Sequence, residues 1–199
     1  MNGDRVSTGV DDLDRVIEGG FRKNSLILIA GNSGTGKTVF SAQFLYRGAV
    51  DYGENGIYVS FAESRETFYK NMKPFGFDFE RLEKENRFKF LSLLTVKEVA
   101  VPSILKMIME EIDKINAKRL VIDSLSALIQ AFTNPHDARI FIHMVLGRIV
   151  QQAGCTTLII VEVPYGEEKI GFGIEEFVAD GVLFFRAGRL EERLYRDMS

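Results

Sequence analysis

The chain has one cysteine, Cys155, which excludes an internal disulfide. No apolar run approaches the ~20 residues needed to cross a bilayer. The opening, MNGDRVSTG, lacks the build of a signal peptide. These absences predict a cytoplasmic location without membrane insertion. At −3, the net charge lacks the basic excess that draws proteins to nucleic acid or anionic lipid. The two histidines, His136 and His143, have no cysteine or adjacent carboxylate in zinc-like spacing, so they are not expected to hold a metal. Internal repeats, low-complexity tracts and linkers are missing too, and 199 residues are expected to form one domain. Cys155 precedes the apolar run Thr156 to Val161, which predicts a small buried thiol.

What is present centres on eight residues, Gly31, Asn32, Ser33, Gly34, Thr35, Gly36, Lys37 and Thr38. They match G-x-x-x-x-G-K-[ST], the phosphate-binding loop of nucleoside-triphosphate-binding proteins. The apolar run Leu26 to Ala30 precedes the loop, and a helix-compatible stretch, Val39 to Val50, follows it. Glycine lets successive backbone N–H groups curl around a phosphate without a Cβ in the way. The helix start at Val39 adds oriented donors. Lys37 is suited to the β- and γ-phosphates and the Thr38 hydroxyl to Mg²⁺.

Strands and helices alternate beyond the loop. Gly53 to Gly56 signals a turn, and Ile57 to Phe61 reads as a β-branched and aromatic strand. Ser64 opens a helix with apolar Phe68, Met72 and Phe75; a charged helical segment, Asp78 to Asn86, leads into a strand at Phe88 to Leu93. Pro102 sits in the first turn of a long helix with Ile104, Leu105, Ile108, Met109, Ile112 and Ile115 on one face. Arg119 to Ser124 is a strand, Asp137 to Gln152 a helix, and Thr157 to Val163 and Gly181 to Phe185 are strands. Near-continuous Val/Ile/Leu strands separated by helices imply a parallel sheet covered on both faces, hence a three-layer α/β domain.

Three acids stand where such folds place chemistry. Asp123 ends an apolar strand and is suited to orient Mg²⁺; the plainer alternative is an N-cap for the segment from Ser124. Glu63, past the Ile57 strand, is the candidate to polarise a water attacking the γ-phosphate, or else caps the next helix. Glu162 lies among apolar neighbours and is expected to be buried, as a sensor near the γ-phosphate or as half of an interface ion pair.

The entry, Ser7-Thr8-Gly9-Val10-Asp11-Asp12-Leu13-Asp14 with Gly19-Gly20-Phe21, resembles that of RecA-type ATPases. So do GNSGTGKT, the stretch Tyr58 to Ser64, and Leu120 to Ser124. With the late segment Glu175 to Val182, the whole chain is most similar to the single-domain KaiC-like proteins of archaea and bacteria. That resemblance implies a RecA-like P-loop NTPase fold with a mostly parallel central sheet. It also implies ATP or ADP with Mg²⁺, and self-assembly into rings, usually hexameric, with ATP between neighbours. Two departures stand out. The family's first glutamate after the second strand is replaced by Ala62, while Glu63 matches the second. The family also continues past this C-terminus into a strand with a Lys-x-Arg-Gly-like element, so the last strand is expected to be cut short.

In RecA-type recombinases two loops hold DNA, and their counterparts would be Phe132 to Asp137 and Val163 to Asp180. The second carries five acids against Lys169 alone, the wrong sign for tracking phosphates, although Tyr165 and Phe172 are able to stack on bases. Nucleic acid is therefore not the expected partner. Arg186, Arg189, Arg193 and Arg196, interleaved with acids, read as a solvated hairpin or as a source of a cation for a neighbour's phosphates. The leading expectation is a slow Mg²⁺-dependent ATPase whose nucleotide state sets ring geometry for a protein partner. A non-hydrolysing ATP-held scaffold and a DNA-stimulated recombination ATPase are the alternatives.

Overall fold

The computed structural model describes residues 4–94, 101–130, 134, 140, 154–165, 179–190 and 193–199. The helix expected over Asp137 to Gln152 and most of both recombinase-type loops lie outside these residues.

Seven strands form the central sheet: β3 (Leu26–Gly31), β4 (Gly56–Ser60), β5 (Phe88–Ser92), β6 (Arg119–Asp123), β7 (Thr156–Glu162), β8 (Gly181–Leu190) and β9 (Arg193–Met198). Their order is β5-β4-β6-β7-β3-β8-β9, all parallel except the last pair. A two-stranded antiparallel pair, β1 (Arg5–Val6) with β2 (Phe21–Arg22), stands apart from it. The helices are α1 (Asp11–Val16), α2 (Lys37–Tyr52), α3 (Arg65–Met72), α4 (Phe79–Lys84), α5 (Val101–Ile115) and α6 (Leu125–Gln130).

Every residue of β3, β4 and β6 is buried, which is why these strands read as unbroken apolar runs. Strand alternation divides them between two cores. Leu26, Leu28 and Ala30 of β3 face α5 and α6, where Ile104, Ile108 and Ile112 form the buried stripe. Ile27 and Ile29 face the other way, onto Phe40, Phe44 and the aromatic residues Phe68, Phe79, Phe88 and Phe90. Each sheet face thus buries against helices, giving the expected three-layer α/β fold.

The entry segment owes its sequence to close packing. Ser7 Oγ donates to Asp14 Oδ2 at 2.6 Å and the Thr8 amide to Asp14 Oδ1 at 2.8 Å. Gly20 has φ +119°, and a Cβ there would stand 2.1 Å from the Val6 carbonyl oxygen. Only glycine lets β2 lie so close to β1.

Arg119, at the start of β6, is the largest fully buried side chain among the described residues. Its guanidinium donates to the Ser7 and Phe44 carbonyls at 2.9 and 2.7 Å and pairs with Glu54 at 2.6 Å. It also stacks 4.5 Å above the Phe44 ring. One cation thereby joins the entry segment, α2 and the central sheet at the end opposite the phosphate loop.

Candidate functional site

Parallel strands bring their carboxyl ends to one edge, and register decides which residues meet there. Gly31 pairs with Glu162 on one side and Phe185 on the other, while Ser60 pairs with Asp123. The connection from β3 through α2 to β4 passes over β7 and β6, so a crevice opens between the phosphate loop and the ends of β7, β6 and β4.

The loop takes its shape from three glycines. Gly31 has φ +147°, and a Cβ would stand 2.1 Å from the Phe185 carbonyl oxygen. Gly34 and Gly36 have φ +76° and +103°, with open space where a Cβ would be. A side chain at either position would meet no neighbour, so it is the left-handed backbone of the turn that calls for glycine. Asn32 fixes the loop from outside, its Nδ2 donating to the Val163 and Pro164 carbonyls at 2.9 and 3.1 Å. Thr35 Oγ1 donates to the Asn32 carbonyl at 2.8 Å, and Tyr165 Oη to that of Ser33 at 3.4 Å. Val39 lies in the first turn of α2.

Lys37 is almost wholly buried. Its Nζ donates to the Gly31 and Asn32 carbonyls at 2.9 and 2.6 Å and pairs with Glu162 Oε2 at 3.2 Å. Glu162 itself departs from expectation. Its apolar neighbours suggested a buried acid, yet its side chain is 45% exposed because it emerges where β7 ends. Its partner is a lysine of the same chain, and its amide donates to Ser126 Oγ at 2.9 Å.

Thr38 Oγ1 donates to Asp123 Oδ2 at 3.1 Å, and Tyr58 Oη donates to the same oxygen. Asp123 is 8% exposed. Burial raises its pKa above the ordinary aspartate value, opposed by the hydrogen bonds from Tyr58 and Thr38. The capping alternative for Asp123 does not hold, because the Ala127 amide donates to Ser124 Oγ and Ser124 is the cap of α6.

Glu63 is also not a helix cap: Ser64 Oγ receives the Thr67 amide at the start of α3. The Glu63 amide donates to Ser60 Oγ at 3.0 Å, and its half-buried carboxylate takes a long bond of 3.5 Å from Asn71 Nδ2. Burial, then the nearby charge of Asp123, raises its pKa. Ala62 is exposed on the same turn.

Lys37, Thr38, Asp123, Glu63 and Glu162 thus converge on one crevice. Tyr58, Ser60 and Ser126 join them without any prior signal, since a tyrosine in an aromatic strand and isolated serines look like packing and turn residues. The arginines read as a hairpin fall on β8 and β9, which do pair antiparallel, Arg186 opposite Asp197.

A mostly parallel sheet with a phosphate loop after β3 and an acid ending β6 defines a RecA-like P-loop protein. A model of the KaiC ATPase family matches residues 6–199, and the chain belongs to that family of KaiC-like ATPases, which implies nucleotide binding. It is 33% identical over 210 residues to a UPF0273 protein of Thermotoga maritima, covering 98% of this chain and 84% of that one. The circadian clock oscillator protein KaiC of Prochlorococcus marinus is 32% identical over 194 residues, spanning 94% of this chain but only 38% of its own length. Among solved structures, a KaiC-like protein from Pyrococcus horikoshii superposes with TM-score 0.88 at 36% identity, over 98% of this chain and 86% of that one.

Proposed function

We propose that the chain is a self-assembling, Mg²⁺-dependent ATP-binding domain that hydrolyses ATP slowly and uses its nucleotide state as a switch. The observation that carries this reading is the 3.1 Å bond between Thr38 of the loop and the buried Asp123. A carboxylate held out of water with two hydroxyl donors and Lys37 nearby fits a divalent cation, which would offset its desolvation. The amides from Gly31 to Val39 and Lys37 bind the phosphates, and Thr38 and Asp123 hold Mg²⁺. Glu63 is the base that orients water. Bound Mg²⁺ would neutralise charge building on the phosphates.

Lys37 now rests on its own loop carbonyls and on Glu162, so phosphates take it over by competition. Turnover stays slow because catalysis here is positioning and charge stabilisation, with one activating carboxylate instead of the family's two. Assembly into a ring, hexameric by family analogy, would place the nucleotide between copies and present its state to a protein partner.

Steady-state hydrolysis of Mg·ATP, with sedimentation in ATP and in ADP, tests the proposal. A low rate unaffected by single-stranded DNA, with assembly that depends on the nucleotide, supports it. Ala62 favours a second reading, a scaffold held together by ATP; assembly with no turnover would establish that one. Stimulation by DNA would reinstate the recombination ATPase that the acidic 163–180 stretch argues against.

A further inference from the structure

Tyr58 is wholly buried in β4 among rings, 4.4 Å between centroids from Phe68 and stacked at 7° on Phe90, 5.5 Å away. Phenylalanine would fill that space as well. A hydroxyl placed there is costly unless it is bonded. Its partner is Asp123 Oδ2, the oxygen that also receives Thr38 Oγ1. Register explains the reach: Tyr58 pairs with Val121, and Asp123 is the next residue along β6 on the same sheet face. Among the described residues no donor is bonded to Asp123 Oδ1, which leaves that oxygen for a cation or its water.

We infer that Tyr58 is a positioning residue for Asp123: its hydroxyl locks one carboxylate oxygen against Thr38 and so sets the acid for the cation of a Mg²⁺–nucleotide complex. The inference rests on the Mg²⁺–nucleotide reading above. The sheet, which pairs β4 on both sides, carries the ring, and the hydroxyl rather than the ring packing fixes the acid. Partners of this kind around a metal ligand typically govern affinity by ten- to a hundredfold.

The test uses the full chain as wild type, Tyr58→Phe and Phe90→Leu, with a fluorescent ADP analogue in EDTA and across a Mg²⁺ titration. Paramagnetic resonance of Mn²⁺ on the ADP complex reads the cation directly. Tyr58→Phe is expected to bind the analogue in EDTA as wild type does, and to need about tenfold more Mg²⁺ or Mn²⁺ for half its effect. Phe90→Leu loosens the same pocket and is expected to lower the melting temperature while leaving the metal requirement unchanged. An unchanged metal requirement in Tyr58→Phe, or an equal shift in Phe90→Leu, would overturn the inference alone. A wild-type chain with no Mg²⁺ dependence would overturn the parent reading and this one with it.

Discussion

Lys37 Nζ and Glu162 Oε2 lie 3.2 Å apart, joining the phosphate loop to the end of β7, which pairs directly with β3. The lysine is 4% exposed and the glutamate 45%. In the proposed site, phosphate would have to win Lys37 from a carboxylate that also repels it. Glu162→Gln removes the competitor and the repulsion, so ADP is expected to bind up to about fivefold tighter in EDTA, the range a half-exposed pair supports. Titration with a fluorescent ADP analogue measures it. Weaker binding would instead make Glu162 a residue that helps the site.

Arg119 carries a larger energetic role. Replacing it with methionine leaves Glu54 and the Ser7 and Phe44 carbonyls without their donor. Breaking such a buried arrangement costs about 3–5 kcal/mol, which for a chain of this size is a melting temperature lower by roughly 6–20 °C. Gly48→Ala should act in the same direction, because a Cβ there would stand 2.3 Å from Arg119 Nε. Both lie far from the crevice, so nucleotide affinity of the folded fraction should not change. Calorimetry with binding at low temperature separates the two effects.

Much of this architecture was legible beforehand, for physical reasons. Buried parallel strands must be apolar along their whole length, so β3, β4, β6 and β7 announced themselves to within a residue or two. The loop was legible because glycine is required where φ is positive and amides must face outward. What stayed hidden depends on register. Glu162 looked buried because its neighbours are, and only the end of β7 exposes it. Tyr58 was one aromatic among many, and nothing local shows that its hydroxyl meets an acid 65 residues away. Arg119 read only as the first residue of a strand, although three separate segments converge on it.

If Asp123 holds Mg²⁺ as proposed, the metal response depends on pH. Its folded pKa is raised by burial, above the ordinary value of about 3.9. An acid shifted this way contributes stability that is fully present below the ordinary value and is lost as pH rises through the raised one. Mg²⁺ needs the ionised form and reverses the trend. The extra stability conferred by Mg²⁺ over EDTA, both with ADP, is expected to grow as pH rises through that window and to fade below it. Melting curves from pH 3.5 to 8 check this; a constant gain would contradict the shift.

Cys155 should be inert in the native chain. It is buried, its Sγ lies 3.3 Å from the Ala117 carbonyl, and burial pushes its thiol up to about 12. Thiolate is the reactive form. Iodoacetamide at pH 8 is expected to label Cys155 only after denaturation, so mass spectrometry of labelled chain becomes a measure of unfolding. Rapid labelling of native protein would place the thiol in solvent.

In the proposed ATPase, the turn after β4 would set how fast ATP is cleaved. Ser60 Oγ receives the amides of both Ala62 and Glu63, at 3.3 and 3.0 Å, and so fixes the two side chains in different settings. Glu63 is half-buried within the field of Asp123, which raises its pKa after burial has done so; Ala62 is exposed. A base whose pKa moves toward the working pH accepts a proton more readily, and a positioned base contributes about 10²–10⁴-fold. Glu63→Gln is therefore expected to lower single-turnover hydrolysis by about a hundredfold with little change in ADP affinity. Ala62→Glu restores the carboxylate the family carries and is expected to raise the rate, since the turn already presents that position to solvent and needs no repacking. If Ala62→Glu accelerates hydrolysis while Glu63→Gln does nothing, the activating role belongs to position 62, and the wild-type chain lacks its principal base. If Glu63→Gln alone abolishes turnover, one carboxylate suffices, and Ala62 sets only the pace of the switch.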